Sequence, residues 1–187
     1  MDQVWARVEA WLAAHAPAVA AGLNPPASED QLAETERQLG VRLPESVRAA
    51  YLRHDGQSAD APGLFDGWEW LSLESVRHEW GVWKGLLDGG DFKGMQSDGD
   101  GAVVRDDWWN AAWVPLTHSG SGDHHCLDLA PGPSGAPGQV IRMWHDDGAR
   151  PVDATSFAAW LTAFADDLEA GRFVVSEDGG SLSRRDD

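Results

Sequence analysis

The sequence predicts an α+β fold. A single domain over residues 1–175 has a central, mainly antiparallel sheet packed by an N-terminal helical hairpin, a middle helix and a C-terminal helix. Three observations point there. The stretch from Ala112 to His145 reads as half-buried strands of period two joined by Pro/Gly loops. Five segments outside it carry apolar residues at helical spacing, most of them with a capping residue in front or a glycine behind. The length of 187 residues suits one domain, which at this size buries roughly 70% of the surface its unfolded chain exposes.

Taken in order, residues 2–21 place Val4, Trp5, Val8, Trp11 and Leu12 at helical spacing, and Pro17 ends or bends the helix. Pro25 and Pro26 mark a linker. Ser28 and Gln31 then form a capping box for a second helix, which carries Leu32 and Leu39 and stops at Gly40. Pro44 opens a third helix with Val47, Ala50, Tyr51 and His54 on one side and Gly56 as its stop. Trp68 and Trp70 alternate around Glu69 as in a strand. Ser72 caps a fourth helix with Leu73, Val76, Trp80, Trp83 and Leu87 in register, although Gly81 and Gly85 weaken it. Residues 88–107 turn to Gly, Asp and Ser and predict a long loop.

The sheet follows. Trp113, Val114 and Leu116 flank Pro115, Gly120 to Asp123 turn, and His124 to Leu129 resume as a strand. After the Pro131–Gly138 break, residues 139–145 are rich in strand formers, closed by Asp146-Asp147-Gly148. Thr155 is the expected cap of the last helix, in which Phe157, Trp160, Leu161, Phe164 and Leu168 keep the 3.6 period up to Gly171. Residues 172–175 add a short edge strand, and 176–187 read as a disordered tail.

Composition narrows the partners. Thirty-one acidic residues against 14 basic ones give a net charge of −17, which disfavours nucleic acid and favours a basic protein. Eleven Trp exceed what composition leads one to expect, and indoles both fill cores and anchor interfaces. The lone Cys126 cannot form an internal disulfide, and the N-terminus is a poor secretory signal. Both point to the cytoplasm. No stretch approaches the roughly 20 apolar residues of a membrane span, so no membrane insertion is expected.

The chemical motifs fail on inspection. Asp98 and Asp100 begin like a calcium loop, but Ala102, Val103 and Trp109 stand where that loop needs a ligand, a glycine and a closing glutamate. His118, Asp123, His124, His125, Cys126, His145 and Asp146 offer metal-ligand types, yet adjacent His124 and His125 point to opposite faces of a strand. Ser121 lacks the flanking glycines of a nucleophile elbow, having Ser119 and Asp123 instead. No catalytic residue, metal or cofactor is therefore assigned. The long loop is different. Its six Asp next to paired indoles pick out Asp98, Asp100, Asp106, Asp107, Trp108 and Trp109 as candidate partner-binding residues.

Two stretches together resemble the SUKH superfamily of Smi/Knr-type proteins. The first runs from Ala27-Ser28-Glu29-Asp30-Gln31-Leu32 through Leu39-Gly40 and Leu43-Pro44-Glu45 to Asp55-Gly56. The second comprises Trp109-Asn110, Trp113-Val114-Pro115-Leu116, Gly122-Asp123, Cys126-Leu127-Asp128-Leu129 and Gly138-Gln139-Val140, with Phe157 to Leu161 similar to the closing helix. The resemblance implies one α+β domain without catalytic machinery. It implies either of two roles: a bacterial immunity protein that binds and neutralises a toxin, or a regulator of cell-wall assembly linked to glucan synthesis. With the acidic charge, the leading expectation is a non-enzymatic immunity protein for a toxin with a basic surface, and cell-wall regulation is the alternative.

Overall fold

The computed structural model describes residues 1–99, 101–176 and 180–185. Helices α1 (Asp2–His15), α2 (Pro17–Ala21), α3 (Glu29–Leu39) and α4 (Glu45–Tyr51) precede strand β1 (Glu69–Trp70) and the long helix α5 (Leu73–Gly89). Strands β2 (Trp113–Pro115), β3 (Thr117–His118), β4 (His124–Asp128), β5 (Gln139–Met143) and β6 (Val152–Ala154) follow, then α6 (Phe157–Glu169), β7 (Phe173–Val175) and β8 (Leu182–Arg184). The sheet order is β2-β4-β5-β6, antiparallel throughout, with Cys126 opposite both Pro115 and Ile141. β1 pairs with β3, and β7 with β8. The expected α+β class, with antiparallel sheets in one domain, is what the chain adopts.

Local chemistry accounts for the ends of these elements. Ser28 Oγ accepts the Gln31 amide and the Gln31 side chain accepts the Ser28 amide, closing the capping box, and Gly40 ends α3 in the left-handed region at φ +68°. Ser72 caps α5 through the Ser75 amide. Pro17 divides the first helix at Ala16. The structure departs from expectation at three places. α4 ends at Tyr51, five residues before Gly56. The cap of α6 is Ser156, whose hydroxyl accepts the Ala159 amide, rather than Thr155. The chain beyond 176 is not all tail: Leu182 is fully buried and its amide donates to the Gly63 carbonyl, so burial of one leucine holds β8 on β7. Residues 177–179 and 186–187 of that segment lie outside the described residues.

The strands were expected to be half-buried, but β4 is buried along its whole length. One face of the sheet, through Val114, Leu127 and Val140, joins the main core of α1, α3, α4 and α6, where Trp5 stacks on Trp70 at 4.8 Å. The other face, through Trp113, Cys126, Ile141 and Met143, joins a second core with Trp83 and Trp109 beneath α5. Alternation along β4 therefore serves two cores instead of one core and water.

Candidate functional site

The segment between α5 and β2 is a braced platform. Gln96 bridges Asp107 in antiparallel fashion, and the Ser97 amide donates to the Asp106 carbonyl at 3.0 Å. This narrow ribbon sets Asp98 beside Asp106 and Asp107. It is tied down on two sides. The Gly132 amide donates to the Val103 carbonyl at 3.0 Å and the Ser134 amide to the Ala102 carbonyl at 2.7 Å, while the Asp98 amide donates to Gly148 at 2.9 Å. Backbone meets backbone so closely that a Cβ at Gly132 would lie 2.1 Å from the Gly101 carbonyl oxygen, and one at Gly135 would lie 2.1 Å from that of Val103.

Asp98 and Asp106 are exposed and Asp107 is half-buried, its carboxylate accepting the Asn110 side-chain amide at 2.6 Å. Asp146 and Asp147, both exposed, lie on the turn that also carries Gly148. Asp100 lies outside the described residues. The two indoles separate. Trp108 is half-buried beneath the Arg150 guanidinium, 5.3 Å from the ring centre, and its carbonyl accepts Arg150 Nη2. Trp109 is 2% exposed and stacks on Trp83 at 6.3 Å. It belongs to the second core and has no face for a partner.

The polar cluster of the central strands resolves into structural hydrogen bonds. His124 Nδ1 donates to the Thr117 carbonyl at 2.6 Å, which leaves Nε2 to accept the Trp83 indole N–H at 3.1 Å. Burial lowers its pKa to about 4. His125 turns to the other face, where the Thr117 hydroxyl accepts its amide and shares a 2.8 Å hydrogen bond with Nδ1; burial lowers this pKa to about 3. Burial likewise pushes the Cys126 thiol up, far from a thiolate.

Among the described residues, Asp123, His145 and Asp146 are the one group close enough to share a cation. Asp123 is already engaged there: Oδ1 accepts His145 Nδ1 at 2.8 Å and the His145 amide, and Oδ2 accepts the hydroxyls of Ser119 and Ser121. Despite the cost of its partial burial, those donors hold its pKa down to about 2, and the His145 pKa rises in turn. The same bonds bear on hydrolysis. Both serine hydroxyls are turned to a carboxylate instead of to an imidazole that could take their proton.

The profile of the SMI1/KNR4 family (SUKH-1) matches residues 26–163, from the capping box of α3 to the middle of α6. The chain belongs to the SMI1/KNR4 family. It is similar to the cell wall assembly regulator SMI1 of Saccharomyces cerevisiae, 27% identical over 93% of this chain and 41% of the yeast protein. It is also similar to the glucan synthesis regulatory protein of Neurospora crassa, 28% identical over 97% and 41%, and to F-box only protein 3 of Mus musculus, 24% identical over 95% and 36%. The chain thus spans about two fifths of the length of these relatives. The names of the yeast and Neurospora relatives favour the cell-wall alternative of the sequence reading over toxin neutralisation. No helix of the described residues is long and apolar enough to cross a membrane.

Proposed function

We propose that this SMI1/KNR4 domain is a non-enzymatic protein-recognition module of the cell-wall or glucan-synthesis regulator type, and that its platform of exposed carboxylates receives a basic protein. The carrying observation is the construction of that platform: Asp98, Asp106 and Asp107 are set side by side on a ribbon bonded to two neighbouring turns, with Trp108 half-buried beside them. An array in which carboxylates outnumber the one exposed cation of the ribbon, Arg105, steers an oppositely charged partner, and its fixed backbone loses little freedom on binding. The regulator class comes from the names of the yeast and Neurospora relatives. A second reading, neutralisation of a basic toxin domain, draws support from the net charge of −17 and uses the same surface.

The test places a photo-crosslinking amino acid at Val103, a 41% exposed platform residue, and identifies what it captures in the cell of origin. A basic component of wall or glucan synthesis, lost when Asp98, Asp106 and Asp107 are replaced by Asn, is the expected result. A toxin domain lost in the same way would move the assignment to the second reading. Capture that is indifferent to the three Asn substitutions would remove the platform from the binding surface.

A further inference from the structure

A cleft of about 200 Å³ opens between α6, strands β5 and β6, and the β7–β8 hairpin, and shares no residue with the platform. Its floor is aromatic. Phe65 lies 4.4 Å from Trp160 and 4.8 Å from Phe164, ring centre to ring centre. Phe65 and Phe164 are buried, whereas Trp160 is half-buried and keeps part of its surface open.

Three carboxylates line the cleft, and two of them are matched. Asp153 pairs with Arg142 at 3.1 Å, and Asp167 pairs with Arg172 and, at 2.6 Å, with Arg184. Asp66 has no cation within ion-pair distance among the described residues, and its Oδ1 accepts only the Arg184 backbone amide. The backbone fixes where Asp66 stands. Phe65 and Trp68 exchange hydrogen bonds at 3.1 and 3.0 Å across a two-residue turn, with φ +55° at Asp66 and +82° at Gly67. This is the Asp-Gly pattern of a tight hairpin.

We infer that the cleft receives an arginine side chain of the partner, its guanidinium lying on the open part of Trp160 and its fork meeting Asp66; the inference rests on the protein-recognition reading above. Aromatic faces attract cations, and a planar guanidinium both stacks on a ring and forks onto a carboxylate, which an ammonium does less well. A net charge of −17 disfavours an anion in the same place. The protein already holds one of its own arginines in this manner: the Arg184 guanidinium sits 5.1 Å from the Phe173 ring centre while bonded to Asp167. Asp66 and Trp160 line the same cleft and offer the same two kinds of group, a carboxylate and an aromatic ring.

The probe is N-acetyl-arginine amide, with the neutral citrulline analogue as control, titrated into the full chain while the indole N–H resonances are followed by NMR. The Trp160 signal is identified by its loss in Trp160→Phe. Arginine is expected to shift that signal saturably and citrulline to leave it in place. Asp66→Asn keeps the turn, since Asn tolerates positive φ, and is expected to weaken the arginine titration by roughly fivefold, the scale of one exposed ion pair. Replacing Asp98, Asp106 and Asp107 with Asn is expected to leave the titration unchanged. Equal responses to citrulline and arginine, parent-like affinity in Asp66→Asn, or an unmoved Trp160 signal would each overturn the inference. Normal arginine binding alongside failed platform crosslinking would instead retain the cleft and reject the proposed platform.

Discussion

Trp108 and Trp109 are neighbours in sequence with the same side chain, and the structure gives them different work. Trp109 lies between Trp80 and Trp83, so Trp109→Ala empties a core site. It is expected to cost about 3–5 kcal/mol in denaturant titration. Trp108→Ala leaves that core filled. Its stability loss should be about 2 kcal/mol, the scale of a desolvated cation–π contact with the buried Arg150. If the platform binds as proposed, its effect appears as faster dissociation from the crosslinked partner. A melting curve that fell equally for both variants would contradict this division. The sequence makes the pair visible, and the chain bends at both residues, so the two indoles part at a turn of the backbone. Which one faces inward depends on the register of residues 108–113 against α5, a long-range contact that no local pattern encodes. The glycines of the platform are hidden for a similar reason: Gly132 and Gly135 look like ordinary loop residues until the carbonyls of Gly101 and Val103 are brought against them.

At the scale of elements, the strongest sequence signals were those in which a residue satisfies its own neighbourhood. The Ser28–Gln31 box, the Ser72 cap and the stop at Gly40 are bonds made within a few residues, and the structure contains all three. Helix α4 ends before Gly56 because tertiary bonds take over at its C-terminal end. The Asp55 amide donates to the Pro25 carbonyl and the Asn24 amide to the Gly56 carbonyl, drawing the chain out of the helix. Helix α5 shows the reverse case, an element kept despite weak local propensity. Nothing lies within 4 Å of a Cβ built at Gly81 or Gly85, and neither has positive φ. Gly81→Ala and Gly85→Ala should therefore each stabilise the fold by about 1 kcal/mol, read as a higher denaturation midpoint. Strand β4 carries a pH dependence. His124 and His125 are neutral in the fold with pKa values of about 4 and 3, below the ordinary 6.5, so the unfolded chain takes up their protons first as pH falls. Their contribution is complete above about pH 6.5 and drains away toward pH 4. At about 1.4 kcal/mol per pKa unit, His124 alone accounts for something on the order of 3 kcal/mol. His145, raised by Asp123, has the opposite sign and loses its contribution as pH rises. Urea midpoints measured between pH 7 and 4.5 should fall steadily, and a flat profile would mean that these imidazoles are solvated.

For the whole molecule, the decisive property is the distribution of charge over a fold whose two cores are shielded from it. A net charge of −17 on 187 residues acts at any distance shorter than the screening length, about 10 Å at 0.1 M salt, and so governs encounter more than the strength of the final contact. That separates the two candidate surfaces in kinetics. Among the described residues the platform carboxylates at Asp98, Asp106 and Asp107 have no cation within ion-pair distance; Asp106 and Asp107 accept neutral side-chain amides, and Arg150 acts on Asp98 from a longer range. In the cleft, by contrast, Asp153 and Asp167 are already neutralised by arginines and only Asp66 is left unmatched. Replacing the three platform carboxylates with Asn is thus expected to lower the association rate for a basic partner and to flatten its dependence on salt, while leaving dissociation near the parent value. Replacing Asp66 with Asn should do the opposite, speeding dissociation with little change in the salt slope. Stopped-flow association measured from low to high ionic strength distinguishes the two. An unchanged association rate at low salt in the platform variant would show that these three carboxylates do not steer the partner.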